Sequence, residues 1–563
     1  MAMRHAIRCI AALLIAMAAP VWAQNDSDWW KNAVIYEIYP RSFADTNGDG
    51  VGDLNGITAH LDYLRDLGVD AVWITPFYPS PEVDFGYDIS DYTAIDPQYG
   101  SMADFDRLLA EAGKRKIRVV IDLVLNHTSD RHPWFQESRS SRTNPKADWY
   151  VWRDGKPNGP PPNNWISIFG HSAWQYETVR RQYYYHAFYK EQPDLNWRNP
   201  EVRKAMYDVM RFWMKRGVAG FRLDAVTSLF EDPQFRDERV NPGKTVYGDP
   251  LVSREYTDNL PELHDVLREM RQVVDEFPGR ILIGETYLPS VGELAKMYGR
   301  RNDEANLPMD LQFLMGRTLS APAFRQKLRE AETQLNGNVP LLVSDNHDNR
   351  RSWDRFGDGG HNEQIARLIA ALLLAPRDAA LLYYGQELGM ANHDPVRVED
   401  VRDPIGKIGW PREKGRDGER TPMPWDGTAM AGFTKGPTSW LPIGPDHVTR
   451  NVASETSNPK SLLNYYRLLI RLRRENAALR EGAVTIVDEN NPNVLTFLRQ
   501  KDASTVLVAL NCASSSQTMR YQLTGALAGG SLTTLASSFG APATASAASL
   551  MLPGYGAYIG AVK

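Results

Sequence analysis

Eight short aliphatic runs alternate with helical patterns between residues 33 and 476, and this alternation limits the folds open to the chain. Strands separated by helices are typical of parallel βα units, and eight such units close into a barrel. The sequence therefore predicts an α/β fold, a (β/α)8 TIM barrel. The predicted strands are Ala33–Tyr39, Ala71–Thr75, Arg118–Leu125, Val218–Leu223, Ile281–Glu285, Leu311–Leu314, Pro340–Ser344 and Ala379–Tyr384.

Two segments lack this alternation of strands and helices. Residues 127–199, after the third strand, are rich in Pro, Trp, Tyr and Asn and predict an inserted lid domain, domain B. Residues 479–563 alternate apolar and polar positions between Ser-, Thr- and Gly-rich turns, which is typical of an antiparallel β domain. The barrel itself is assigned to residues 24–126 and 200–478.

A carboxylate stands at the end of one predicted strand and shortly after the end of two others. The pieces GFRLD, IGET and SDNHD carry Asp224, Glu285 and Asp348 in this order. The C-terminal ends of barrel strands meet at one face, so these side chains are expected to converge. Sugar cleavage passes through an oxocarbenium-like transition state and needs carboxylates on both sides of the anomeric carbon. The three motifs together therefore indicate a glycoside-cleaving site.

A family resemblance follows from these motifs. The pieces IDLVLNH (121–127), GFRLD (220–224), IGET (283–286) and NHD (346–348) resemble the four signature regions of the α-amylase superfamily, glycoside hydrolase family 13. The piece QPDLN (192–196) resembles the fifth region of its α-glucosidase and oligo-1,6-glucosidase branch. The resemblance implies that Asp224 is the nucleophile, that Glu285 is the acid and base, and that Asp348 steadies the distorted sugar.

The resemblance also implies a set of substrate-binding residues. In that branch, residues matching Asp84, Tyr87 and Arg420 close off the non-reducing end of the terminal glucose, which implies a blind pocket and exo action. Arg222 lies two residues before Asp224, on the same strand face, where it can keep that carboxylate ionised. The remaining candidates are His127, Phe169, Phe188, Gln192 and His347.

A ladder of oxygen ligands follows the first predicted strand. Asp45, Asn47, Asp49, the Val51 carbonyl and Asp53 resemble the start of an EF-hand loop, but Gly56 stands where the last ligand belongs. The same ladder in the α-glucosidase branch holds a calcium ion or a similar hard cation. The sequence therefore predicts a structural Ca²⁺ site, with Mg²⁺ as a possible occupant. A tight Asp/Gly turn without metal is the alternative.

The net charge and the N-terminal sequence restrict which partners and which cellular compartment are expected. The formal net charge of the 563 residues is −5, which gives no reason to expect nucleic acid as a partner. Residues 1–23 combine two arginines, a short apolar run and the small-residue site Val21-Trp22-Ala23, which predicts a secretory signal peptide. The protein is expected to be periplasmic or secreted. No other apolar run approaches the length of a membrane span.

The expected activity is that of a retaining exo-acting α-glucosidase on short α-linked gluco-oligosaccharides. Ala225 follows the nucleophile; the resemblance associates Ala or Thr there with α-1,4 preference and Val with α-1,6 preference. An oligo-1,6-glucosidase, and a transferase or isomerase such as a trehalose or isomaltulose synthase, remain alternatives. A non-catalytic protein of the transporter heavy-chain type is disfavoured, because the catalytic carboxylates are complete.

Overall fold

A computed structural model describes residues 28–521 and 530–563, so the predicted signal peptide lies outside the described residues. Eight parallel strands close into a barrel in which each strand pairs with its neighbours in chain order, and the eighth pairs with the first. The barrel strands are β1 (Val34–Ile38), β2 (Ala71–Ile74), β3 (Arg118–Val124), β4 (Gly220–Asp224), β5 (Ile281–Gly284), β6 (Leu307–Asp310), β7 (Leu341–Val343) and β8 (Ala379–Tyr383). The predicted fold class is confirmed.

Helices surround this barrel and are capped by local sequence signals. Asn199 accepts a hydrogen bond from the backbone N–H of Glu201 at the start of the longest helix in the described residues, and Gly217 ends that helix in the left-handed conformation. The helices with at least six residues are Leu54–Ala59, Leu61–Leu67, Met102–Lys114, Pro133–Ser140, Pro200–Arg216, Leu263–Asp275, Val291–Lys296, Ala321–Gln334, Asn362–Leu374, Pro404–Gly409, Val452–Ser457 and Leu462–Glu475.

The sixth strand lies four residues earlier than predicted. The prediction of 311–314 is wrong, since β6 is Leu307–Asp310, with Leu307 and Pro308 paired to β5. The observed strand contains Pro308, although proline disfavours a central strand because it lacks a backbone donor. The predicted segment instead begins a turn, in which the Asp310 carboxylate accepts hydrogen bonds from the backbone N–H groups of Gln312 and Phe313.

The inner face of the barrel changes character along its axis. Ile35, Trp73 and Val120 belong to an apolar cluster that fills the barrel. Side chains on one strand face recur every two residues, so Glu37 and Asp122 lie on the same inner face nearer the C-terminal ends. Both are fully buried. The sequence of each strand thus places an apolar core at one end of the barrel and polar groups at the other.

The two other domains are built from antiparallel sheets. Domain B holds a helix, Pro133–Ser140, and a sheet of Trp152–Arg153, Trp174–Glu177 and Gln182–Tyr185. A six-stranded sheet follows the barrel after a short helix, Ala477–Glu481, that spans the predicted boundary at residue 479. Its strands are Ala483–Ile486, Val494–Lys501, Ser504–Asn511, Ala557–Val562, Ser531–Ser537 and Thr544–Ser546 in spatial order. Among helices of 28–521 and 530–563, none has the length and apolarity needed to span a membrane.

Candidate active site

Arg222 is the centre of the polar end of the barrel. Its guanidinium is fully buried and contacts three carboxylates. Nη1 lies 2.5 Å from Asp224 Oδ1 and 3.0 Å from Asp122 Oδ1, and Nη2 lies 2.6 Å from Glu285 Oε1. Asp224 and Glu285 come from the neighbouring strands β4 and β5, so one arginine holds the predicted nucleophile and the predicted acid side by side.

The backbone after the nucleophile turns sharply towards Glu285. Ala225 has a φ of 45°, in the left-handed region that a residue with a Cβ rarely adopts. In this conformation its N–H donates to Glu285 Oε2 at 2.7 Å. Burial raises the pKa of Glu285 to about 7, against the opposing charge of Arg222. A carboxyl with this pKa can carry a proton at neutral pH, as a general acid must.

Asp224 and Asp348 are in different electrostatic surroundings. Burial also raises the pKa of Asp224, although Arg222 opposes the shift. Burial would raise the pKa of Asp348 too, but His347 and two arginines, Arg416 and Arg420, hold it below its usual range. Those arginines lie 3.0 Å and 2.9 Å from Asp348 Oδ1. Asp348 therefore stays ionised, which suits a group that stabilises developing positive charge.

A cavity of about 900 Å³ opens above these carboxylates. Its lining includes all three predicted catalytic residues. The predicted binding residues that also line it are Asp84, Tyr87, His127, Phe169 and Phe188. The other four lie behind the wall and hold the lining residues in place: Gln192, Arg222, His347 and Arg420. Gln192, for example, donates from Nε2 to Asp84 Oδ2 at 3.2 Å.

The arginine that closes the pocket beside Asp84 is Arg416, which corrects the expectation for Arg420. Arg416 Nη2 lies 2.6 Å from Asp84 Oδ1, and its Nη1 contacts Asp348, so it bridges the two carboxylates. Asp403 holds Arg416 from behind, with Oδ2 2.7 Å from Nε. Arg420 is fully buried and donates from Nε to the His347 carbonyl at 2.7 Å. Both arginines occur in one run, GRDGER, whose linear order does not show which of them enters the pocket.

His347 is anchored by a residue that the sequence reasoning missed. Glu37 Oε1 on β1 lies 2.6 Å from His347 Nδ1 and accepts from the His347 backbone N–H at 3.2 Å. On the other side, the Tyr87 hydroxyl lies 2.7 Å from His347 Nε2 and donates to Asp122 at 3.0 Å. A continuous chain of buried hydrogen bonds thus joins Glu37 to the Arg222 cluster. In the sequence, the only sign of this hydrogen-bond chain is a single glutamate, Glu37, within an otherwise apolar strand.

Two insertions form the outer wall of the cavity together. The loop after β4 carries a hairpin, Val240–Lys244 and Pro250–Val252, that contacts domain B. Asp249 Oδ2 accepts from the His171 backbone N–H at 2.7 Å. Further along the contact, the Asn164 backbone N–H donates to Asp237 Oδ1 at 3.0 Å. Phe169 and Phe188 of domain B thus line the same cavity as the predicted catalytic carboxylates, and the hairpin after β4 supports the domain that carries them.

The predicted metal loop is a compact turn tied to the segment after β8. Asp45 accepts from the backbone N–H groups of Gly48 and Gly50, and its N–H donates to the Phe433 carbonyl at 2.8 Å. Asp53 accepts from Gly56 N–H and caps the helix Leu54–Ala59. In residues 28–521 and 530–563, no three His, Cys, Asp or Glu side chains form a recognisable metal cluster. The oxygen donors of the loop are of the type that a hard cation prefers, and the cation stays a prediction.

Comparison with known proteins agrees with this architecture. The catalytic-domain profile of α-amylase matches residues 37–482, and the C-terminal domain profile of maltogenic amylase matches residues 484–559. A probable α-glucosidase of Rhizobium meliloti is 45% identical over 88% of this chain and 91% of its own length. An oligo-1,6-glucosidase of Parageobacillus thermoglucosidasius is 40% identical over 87% of this chain and 92% of its own length.

Solved structures give the same result. The crystal structure of an α-glucosyl transfer enzyme superposes with a TM-score of 0.87 at 41% identity and covers 95% of this chain and 99% of its own. An isomaltulose synthase mutant of Erwinia rhapontici in complex with sucrose gives 0.87 at 37% identity, with the same coverage. Carboxylates that meet at the C-terminal end of a (β/α)8 barrel are the arrangement that glycoside hydrolases use, and the matches place this chain in that class. The chain belongs to the α-amylase family, glycoside hydrolase family 13.

Proposed function

We propose that this protein is a retaining, exo-acting α-glucosidase that releases glucose from the non-reducing end of short α-linked gluco-oligosaccharides. One observation carries the proposal: Asp224 and Glu285 share the buried Arg222 at the base of a cavity. Retention requires two carboxyl groups close enough for one to attack the anomeric carbon while the other protonates the leaving oxygen. A common guanidinium partner on adjacent strands supports that spacing.

Exo action is supported by the ion pairs at one end of the cavity. Arg416 bridges Asp84 and Asp348 there with contacts of 2.6 Å and 3.0 Å, and we propose that these three side chains block a longer chain. Charged and hydrogen-bonding groups of this kind bind the hydroxyls of a terminal sugar. The best substrates are therefore expected to be di- and trisaccharides, with soluble starch cleaved much more slowly.

The linkage is proposed to be α-1,4, because the small side chain of Ala225 leaves room beside the nucleophile. A second candidate function is glucosyl transfer or sugar isomerisation. It is supported by the structural likeness to an α-glucosyl transfer enzyme and to an isomaltulose synthase. The two functions share the glucosyl-enzyme and differ in whether water or a sugar hydroxyl takes the glucosyl group.

An activity panel with maltose, isomaltose, sucrose, trehalose and soluble starch tests the proposal. Proton NMR of the first-formed glucose from maltose is expected to show the α-anomer, and early β-glucose would rule out retention. Chromatography of the sucrose reaction separates the two candidates, since an isomerase converts sucrose into another disaccharide whereas a hydrolase gives glucose and fructose. Asp224→Asn is expected to reduce kcat by several orders of magnitude while keeping the circular dichroism spectrum.

Export is proposed from the N-terminal sequence, and the oligosaccharide substrate is then met outside the cytoplasm. N-terminal sequencing of the protein from a host with a secretion pathway tests this proposal. Cleavage after Ala23 is the expected result. An intact Met1 on protein recovered only from the cytoplasmic fraction would contradict it.

A further inference from the structure

The cavity carries a second set of charges apart from its catalytic carboxylates. Five cationic side chains, which we call the cationic rim, line it: Arg254, Arg317, Arg350, Arg412 and Lys414. The rim is half-buried or exposed, whereas Asp224 and Glu285 are buried. Besides Asp84, Asp224, Glu285 and Asp348, four acids line the same cavity: Asp258, Asp394, Glu413 and the buried Glu419. The rim therefore brings five cationic side chains to one cavity of a chain whose formal net charge is −5.

Most of the rim lacks an acidic partner. Arg350 is paired, with Nη1 2.5 Å from Asp394 Oδ2. Within the described part of the chain, Arg254, Arg317 and Arg412 have no carboxylate oxygen within 4.0 Å. They come from three separate segments, the loops after β4, β6 and β8, so their meeting at one cavity is a product of the fold. A guanidinium without a close carboxylate partner can pair with an anion that enters the cavity.

The carboxylates on the other side of the cavity restrict where such an anion can bind. Asp224, Glu285 and Asp348 surround the position of the glucosyl group, which becomes positive in the transition state. A negative group on that sugar would be repelled by them. The rim faces outward, where the leaving group of the glucoside extends. A carboxylate or phosphate on the leaving group would therefore meet the rim while the glucosyl group meets the carboxylates.

We propose that the cationic rim recognises an anionic leaving group, so that the preferred substrates are α-glucosides whose aglycone carries a carboxylate or a phosphate. This inference rests on the proposed α-glucosidase function and names its substrate class. In the reaction Glu285 protonates the glycosidic oxygen, the C–O bond to glucose breaks, and the aglycone leaves with its charged group unchanged. Water later takes the glucosyl group from Asp224.

A matched pair of substrates tests the carboxylate arm. The compounds 4-O-α-glucosyl-gluconate and 4-O-α-glucosyl-glucitol differ only in a carboxylate against a hydroxymethyl group. We expect kcat/KM to be about tenfold higher for the gluconate at low salt, and the advantage to shrink in 0.5 M NaCl because exposed charges are screened. Sucrose phosphorylated on its fructose, compared with sucrose, tests the phosphate arm. A charge preference in either arm supports the inference, and its absence in both overturns it.

Variants of the rim arginines test whether the preference for an anionic leaving group arises at the cationic rim. Arg254→Gln and Arg317→Gln are each expected to lower the gluconate-to-glucitol ratio of kcat/KM by about three- to tenfold. Arg301→Gln is the matched control, because Arg301 is an 87% exposed arginine at a different cavity and should leave the ratio as in wild type. An unchanged ratio in both rim variants would overturn the assignment to the rim.

A binding measurement separates this inference from the proposed function. Calorimetry on Glu285→Gln compares the binding of the two glucosides without turnover. If wild type cleaves neither glucoside but this variant binds the gluconate several-fold more tightly, the anion site stands and the α-glucosidase proposal fails. If maltose is cleaved and charge changes neither rate nor binding, the anion site fails and the α-glucosidase proposal stands.

Discussion

At the scale of single residues, Ala225 has a strained backbone conformation and lies in the cavity wall next to Asp224. Its left-handed backbone directs its N–H at Glu285, and its methyl group lines the cavity beside the nucleophile. Specificity between two substrates is a difference in transition-state binding, and one or two methyl groups in a wall change it by about 1–3 kcal/mol. An α-1,6 linkage directs the second sugar differently from an α-1,4 linkage, so this wall is placed to distinguish them.

We therefore predict that wild type prefers maltose to isomaltose, and that Ala225→Val moves the kcat/KM ratio towards isomaltose. A β-branched side chain is also strained at a φ of 45°, so this variant should lose about 1–2 kcal/mol of stability. Ala225→Gly is the control, since it relieves the strain without adding to the wall. A wild type that prefers isomaltose, or a ratio that does not move in Ala225→Val, would assign linkage preference to another part of the cavity.

Glu37 acts on the site through His347. Burial raises the pKa of Glu37 and lowers that of His347. Glu37→Ala removes the partner of the buried Nδ1 and is expected to lower kcat/KM by about ten- to a hundredfold. Glu37→Gln keeps an oxygen at that place and should recover most of the activity. A folded Glu37→Ala variant with wild-type kcat/KM would show that His347 needs no anchor.

At the scale of elements, the sequence predicts the barrel well because parallel strands buried on both faces form continuous aliphatic runs. It also predicts the meeting of Asp224, Glu285 and Asp348, since each ends or follows a strand and the barrel brings those ends together. It failed at β6, where Pro308 lies inside a buried strand against the usual preference. Burial in the barrel outweighed local propensity at that position.

The remaining differences between the predicted and the observed site arise from loop paths and long-range contacts. Arg416 enters the pocket because Asp403, thirteen residues earlier, holds its guanidinium, and that contact depends on the path of an irregular segment. Neither hydrophobic periodicity nor a motif records such a path. Glu37 was missed for another reason. A single glutamate inside an aliphatic strand has no evident role until its partner His347, which follows β7, six strands further along the chain, is placed beside it.

The Asp45–Asp53 loop is the element where a bound cation is predicted. It joins the end of β1 to the segment after β8, for example through the hydrogen bond from Thr434 Oγ1 to Asp45 Oδ2 at 2.5 Å. A ligand that binds only the native state raises its stability by mass action. Chelator is therefore expected to lower the melting temperature, with a smaller effect on the rate of the enzyme that remains folded.

A matched variant tests the role of that loop. Asp49 is exposed, and within the described part of the chain its carboxylate accepts hydrogen bonds only from the loop itself, from Val51 N–H and Asn47 Nδ2. Asp49→Ala should weaken the cation site without removing the helix cap at Asp53. We expect the melting temperature of this variant to respond less to chelator than that of wild type. Equal melting curves with and without chelator in metal-depleted wild type would contradict a structural cation.

At the scale of the whole molecule, catalysis and stability make opposite demands on the buried carboxylates. Glu285, the proposed general acid, can carry a proton near neutral pH because folding removes its carboxyl group from water and places it near other negative charges. Burial raises the pKa of Glu285 from 4.5 to about 7. Between those values the native state binds more protons than the unfolded chain, so the contribution of this group to the free energy of unfolding decreases as pH rises.

The contribution of Glu285 to the free energy of unfolding can be measured by removing its charge. Glu285→Gln is expected to have a higher melting temperature than wild type at pH 8, by an amount that corresponds to about 1–3 kcal/mol. The difference should decrease as pH falls through about 7 and vanish near pH 4, where both the folded and the unfolded wild type are protonated at this position. Glu475→Gln is the control, because Glu475 is exposed at a helix end and should show no such trend. A stabilisation by Glu285→Gln that is the same at pH 5 and pH 8 would show that it comes from packing, and that the charge of Glu285 does not destabilise the fold.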